Sequence, residues 1–208
     1  MKEAHINSGI RRILDWNFVY RTYQIIQGDY KLYKQVLKFA PTLNDKTVFD
    51  IGCGNGRLLD FLPISCIYKG YDFNKNYIAR AREKYKGRNA DFIIANINHT
   101  DFSERPADAI FLIGIIHHLT DEDVSSLFNK AKKNLAPNGV MISVDPVIIE
   151  NQNVLAHYLI KRDRGTNVRT AENYARLTEY AFKKTTSHIY HNLINSPFNH
   201  IIQVSHNE

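Results

Sequence analysis

Three glycines at alternate positions, Gly52, Gly54 and Gly56, follow an apolar run that carries an acid, Val48-Phe49-Asp50-Ile51. Cys53 and Asn55 fill the gaps, and Arg57-Leu58-Leu59-Asp60-Phe61-Leu62 opens an amphipathic stretch. A glycine loop between a strand end and a helix start lets backbone approach a ligand closely. Asp50 stands where it could hold a ligand's cationic group or the loop itself. A second acid, Asp72, comes 22 residues later, in Tyr68-Lys69-Gly70-Tyr71-Asp72-Phe73-Asn74. A carboxylate there can accept two hydrogen bonds from a ribose diol. Further along, His117-His118 offers imidazoles able to take a proton from a hydroxyl or an amine near neutral pH. Asp145, in Ser143-Val144-Asp145-Pro146, either faces a substrate or caps the following turn. Neighbouring histidines on a helix point in different directions, and no third ligand follows at a helical interval, so no metal site is expected.

These groups need a scaffold that brings them to one edge. Strand-like runs cover 47–51, 67–71, 91–94, 109–113 and 140–144, separated by helical stretches through Leu62, over 76–86 and over 121–135. The last of these helices stops at Pro137-Asn138-Gly139, a breaker followed by φ-permissive residues. Strands alternating with helices predict an α/β fold with a doubly wound, mostly parallel sheet and right-handed crossovers. Asp50, Asp72 and Asp145 all fall at strand ends, the carboxyl edge where such sheets bind ligands. Residues 8–40 read as helical with a break at Gly28-Asp29. Beyond Pro146 a mixed helical stretch over 152–182 leads to two strand-like runs, 185–193 and 200–206, which form a hairpin. Without an internal repeat or linker, the chain reads as one domain: an N-terminal helical cover (1–45), a ligand-binding core (46–146) and substrate-side helices with the hairpin (147–208).

The glycine spacing discriminates between ligands. A dinucleotide turn, Gly-x-Gly-x-x-Gly, needs a glycine at 57, where this chain has Arg57. The pattern Asp-x-Gly-x-Gly-x-Gly, with Asp72 downstream, resembles motif I of the class I S-adenosylmethionine-dependent methyltransferases. The resemblance is most specific over 48–146. It implies a seven-stranded sheet of order 3-2-1-4-5-7-6, the last strand antiparallel between the fifth and the sixth. The implied cofactor is S-adenosylmethionine, leaving as S-adenosylhomocysteine, held by Asp50, Gly52, Cys53, Gly54, Asn55, Gly56, Asp72, Phe73, Asn96, Ile97, Ile113 and Gly114. On this reading the loop glycines let the methionine end lie against bare backbone. Phe73 packs on the adenine or in the core. Asn96 stands where related chains often carry an aspartate, and its amide oxygen can still accept from the adenine amino group.

The same resemblance places His118 near the transferred methyl, as a base or as a residue that orders its loop. Tyr20 and Gln24, in a segment similar to a helix that folds over the cofactor, are candidates to contact bound ligand. Asp163-Arg164-Gly165 and Val168-Arg169-Thr170 resemble pieces that follow the fifth strand in a group of bacterial methyltransferases. Arg164 and Arg169 there hold an anionic substrate group or form structural ion pairs, and His200 joins the substrate side. The chain reads Ile113-Gly114-Ile115-Ile116 where amino-methylating base methyltransferases carry Asp/Asn-Pro-Pro-aromatic, which counts against DNA-adenine chemistry.

With 208 residues, 44% hydrophobic and 23% charged, the composition is that of a globular protein rather than a disordered one. No apolar run approaches the roughly 20 residues that span a bilayer, and the N-terminus lacks a signal peptide's apolar core. Two cysteines, Cys53 and Cys66, make no disulfide framework, so a cytoplasmic protein without membrane attachment is expected. The net charge of +6 permits an acidic partner without demanding one. The resemblance to small-molecule methyltransferases implies a small-molecule methyl acceptor; the alternatives are an RNA methyltransferase and a nonenzymatic protein that binds the cofactor.

Overall fold

Runs of branched and aromatic side chains with both faces apolar make buried parallel strands. In the computed structural model, which describes residues 29–96, 102, 106–150, 152, 167–195 and 199–207, they form one sheet. Tyr20, Gln24, Ile97 and Arg164 lie outside the described residues. The strands are β1 (Thr47–Ile51), β2 (Ile67–Asp72), β3 (Ala90–Ile94), β4 (Ala107–Ile113), β5 (Leu135–Ile148), β6 (Arg169–Thr170), β7 (Lys184–His191) and β8 (Asn199–His206). Their order is β3-β2-β1-β4-β5-β8-β7, with β6 pairing β5 off this path. The first five are parallel, and β8 runs antiparallel between β5 and β7. The expected order thus holds, with the two-residue β6 added.

Every residue of β1 is buried, because helices cover both faces. Val48 packs with Tyr68, with Val36 of α1 (Asp29–Leu37) and with Ile78 and Ala81 of α2 (Lys75–Lys84). Phe49 and Ile51 pack on the other side, with Val124, Leu127 and Phe128 of α3 (Asp121–Asn134) and Tyr174 of α4 (Ala171–Glu179). Thr120 caps α3 by accepting from Asp123 N at 3.2 Å. Three acids in its first turn and two lysines in its last complement the helix dipole.

Two elements differ from the sequence reading. Past Gly56 the chain makes only a short 3-10 turn, Arg57–Phe61, instead of an α-helix. Pro63 forces Leu62 into the extended region (φ −93°, ψ 150°), which leaves no room for another helical turn. β5 is also longer than its expected 140–144, because Pro137-Asn138-Gly139 turns within the strand. Asn138 N donates to Asn207 O at 3.2 Å and Asn207 N to Gly139 O at 3.0 Å, which holds that turn against the end of β8. The hairpin is tied to α1: Gln35 Nε2 donates to Tyr190 Oη at 2.8 Å, and Phe39 stacks on His188.

Candidate functional site

The carboxyl ends of the adjacent strands β1 and β4 carry Gly52–Gly56 and Gly114, and the loop N–H groups are spent inside the protein. Gly52 N and Cys53 N both donate to Tyr71 O, at 2.7 and 3.0 Å, and Gly56 N donates to Cys53 O at 2.9 Å. Gly54 N donates to Asp72 Oδ2 at 2.9 Å. A pyrophosphate needs such N–H groups free, and these four are committed.

The three glycines serve different ends. A Cβ on Gly52 would lie 2.5 Å from Ile115 Cδ1, and one on Gly56 2.6 Å from the Phe92 ring and 2.9 Å from Tyr85. A Cβ on Gly54 would meet nothing within 4 Å. The expectation that all three glycines bare the backbone to a ligand is therefore corrected: at Gly52 and Gly56 the space belongs to packed side chains, and only Gly54 opens outward. Gly114 is similarly open: a Cβ added there would first meet His117 Cε1, at 3.9 Å. Cys53 is buried, its sulfur 2.8 Å from where a Gly70 Cβ would sit, so its thiol packs against β2. Burial pushes that thiol far up, with the Asp50 and Asp72 charges adding to the effect.

Asp72 ends β2 beside this loop. Its Oδ1 accepts from Asn74 N at 2.8 Å and its Oδ2 from Gly54 N. Each carboxylate oxygen has a second lone pair, so a diol can still donate to both. Burial raises the Asp72 pKa and the two N–H bonds oppose that rise. Next to it Phe73 is 79% exposed and Ile94 54%. Asn96 is also exposed. The exposure of Phe73 removes the alternative of a core role. Asp50 is buried and accepts from Tyr68 Oη at 2.6 Å. Burial pushes its carboxyl up to about 7, the Tyr68 bond opposing and the Asp72 charge adding.

On the β4–β5 side the pattern of the histidines matters. His117 and Asp145 are both buried; Asp145 Oδ1 lies 2.6 Å from His117 Nδ1 and accepts His117 N at 3.1 Å. His118 is exposed, its ring centroid 4.0 Å from that of His117. Asp145 therefore neither lies open to a substrate nor caps the turn after β5; it reaches across to the loop after β4. Sequence spacing alone could not pair residues 28 positions apart, and the signal available was only an acid at a strand end beside a doubled histidine.

Arg169 is buried and directs all its donors inward. Nε and Nη2 approach Asp121 Oδ1 at 2.8 and 2.7 Å, Nη1 donates to the carbonyls of Ile116 and Asn167, and Nη2 to that of Leu119. The expectation of an anion-binding arginine is corrected to the structural one: its fork holds the 116–119 turn. His200 is buried between Pro146 of β5 and Tyr190 of β7. Ile113 ends β4 half-buried and Asn55 is half-buried in the loop. Among the described residues no cluster of three metal-ligating side chains occurs.

With this geometry in place, residues 48–139 match the family model described as "Methyltransferase domain". Over these residues the chain is similar to that domain, and its sheet has the order of a class I, Rossmann-like fold. It is 27% identical over 204 residues to phosphoethanolamine N-methyltransferase of Plasmodium falciparum, covering 92% of this chain and 72% of that one. N-terminal Xaa-Pro-Lys N-methyltransferase 2 of Danio rerio is 31% identical over 106 residues, 48% of this chain and 38% of that one. The tRNA U34 carboxymethyltransferase of Nautilia profundicola is 26% identical over 145 residues, 64% and 45% of the two chains. The matched part thus spans less than half of two of these three relatives. Among solved structures, the N-methyltransferase NodS of Bradyrhizobium japonicum with S-adenosylhomocysteine shares the fold, with a TM-score of 0.72, 14% identity and coverage of 94% and 95%.

Proposed function

We propose that this protein transfers the methyl group of S-adenosylmethionine to a small-molecule acceptor. The carrying observation is the pairing of Gly54, whose outward face is empty, with Asp72, which bonds that glycine's N–H and keeps lone pairs for a diol. Gly54 would hold the cofactor's amino-acid end, Asp72 would accept from its ribose hydroxyls, and Phe73, Ile94 and Asn96 would border its adenine. The bound sulfonium supplies an activated methyl carbon, and the protein's contribution is positioning and exclusion of water.

A small acceptor is favoured over RNA by where the cations point. Arg82 donates to Phe92 O, Lys84 to Asp60, Arg88 to the carbonyls of Leu59, Leu62 and Pro63, and Lys132 to Ala181 O. These side chains serve the fold and lie on both sides of the sheet, where a nucleic-acid surface needs them converging on one face. Methyl-labelled S-adenosylmethionine, incubated with the protein and separately with metabolite, RNA and protein fractions of cells, tests this reading. Label is expected in the metabolite fraction; label confined to RNA or to protein overturns the choice of acceptor.

A further inference from the structure

We propose that the outer edge of β7 is a self-association surface, on which the same strand of a second copy pairs antiparallel. The inference is independent of the methyl-transfer reading, because β7 stands three places from β4 along the sheet. The two ends of the sheet are finished differently. At one end β3 is five residues long and exposes the charge of Asp91. Its Phe92 carbonyl is taken by Arg82, whose Nε and Nη2 both donate to it. At the other end β7 runs eight residues, Lys184–His191, with no proline and an unbroken register to β8. Short length, charge, proline and bulges are the devices that keep an edge from pairing with another chain. Of these, β7 has only its terminal Lys184.

The side chains of β7 turn away from the edge as well. Thr185 Oγ1 lies 2.9 Å from Ser205 Oγ, Ser187 Oγ accepts from Gln203 Nε2 at 3.2 Å, and His191 Nδ1 lies 2.7 Å from Asn199 Oδ1. These three lean onto β8. His188 stacks on Phe39 and Tyr190 Oη accepts from Gln35, on the α1 side. That leaves Thr186 and Ile189, both exposed. Among the described residues, the backbone of 185–191 makes no hydrogen bond beyond the β8 ladder. A row of such N–H and C=O groups is a template for one more strand.

A second copy supplies that strand. An antiparallel edge is its own complement under a two-fold axis, which sets the same donors and acceptors on both sides. Charge permits the pairing too: Lys184 is the one lysine, arginine or acid in the strand, and antiparallel copies place their two lysines at opposite ends of the contact. Exposed Thr186 and Ile189 are β-branched, the type that packs well across strands. An edge of this length spans about 27 Å. The contact therefore falls at the small end of interfaces, below about 1,200 Å², and the dissociation constant is expected on the order of 10–100 μM.

Sedimentation velocity of the full chain from about 5 to about 500 μM brackets that range. The average mass is expected to rise from one chain toward two, and amide exchange over 185–191 to slow about fivefold or more at the high end. Thr186→Lys combined with Ile189→Lys puts a charge on each face of the edge and touches no residue of the candidate site. This double variant is expected to stay monomeric with an unchanged melting temperature, whereas Asp91→Lys on β3 keeps the dimer. A native chain that remains monomeric throughout, or a dimer that persists in the double variant, overturns the inference. So does a dimer lost in Asp91→Lys, which would assign the contact to the other edge. Should the double variant not fold, exchange in the native protein decides: protection that grows with concentration outside β7 and not within it contradicts the assignment. Binding of S-adenosylhomocysteine is no part of this readout, so failure of the cofactor reading leaves the test intact.

Discussion

Asp50 is held near neutrality by its surroundings, and that has a sign that can be measured. Its carboxyl is raised to about 7 from 3.8, so the folded chain binds this proton more tightly than the unfolded chain. Between about pH 4 and about pH 7 the unfolded state has already lost it, and stability falls with rising pH by about 1.4 kcal/mol per unit. Asp50→Asn removes that penalty: its advantage over the native protein grows across this window, reaching about 3–4 kcal/mol above pH 7 in denaturant titrations. The glycines give a second contrast at this scale. Gly56→Ala drives a Cβ into the Phe92 and Tyr85 rings and is expected to cost roughly 2–4 kcal/mol of stability. Gly54→Ala meets no atom, so it costs only about 1 kcal/mol for its positive φ but lowers cofactor affinity at least tenfold. Equal affinity losses with equal destabilisation in the two variants would remove the distinction between a packing glycine and a ligand-facing one.

The elements explain which parts of the site were legible in the sequence. The places of Asp72 and Gly54 were readable because strand and loop are local: the acid ends β2 and the glycine follows β1. The His117–Asp145 pair was not, because it depends on β4 and β5 lying side by side with Ile113 opposite Val144. The role of Arg169 was equally hidden: its fork acquires meaning only when β6 pairs with Val147 and Ile148 and brings it under the 116–119 turn. Arg169→Ala strands the carbonyls of Ile116 and Leu119 and leaves Asp121 without its partner. The expected loss is about 2–4 kcal/mol, with faster amide exchange in the turn that carries His117. Arg169→Lys does not restore it, since one ammonium cannot reproduce a planar five-donor fork. Full recovery by lysine would contradict the clamp.

For the whole molecule, the sheet order followed from the alternation of strands and helices together with the terminal hairpin, because parallel strands need crossovers and a hairpin does not. What alternation could not supply was the length of individual elements. Pro63 cut the helix after the glycine loop to one short turn, and the 137–139 turn was absorbed into β5 instead of ending before it. The consequence is a carboxyl edge on which the glycine loop commits the N–H groups of Gly52, Cys53 and Gly54 to β2 and leaves the Gly54 face and the Asp72 carboxylate for the proposed ligand. Such an edge suits an adenosyl amino acid and not a dinucleotide. The most direct measurement is calorimetric titration of the full chain with S-adenosylhomocysteine and with NAD, repeated on Asp72→Ala. Saturable binding of S-adenosylhomocysteine, weakened at least tenfold in Asp72→Ala and with no heat from NAD, is the expected result; binding of NAD without binding of S-adenosylhomocysteine would contradict it.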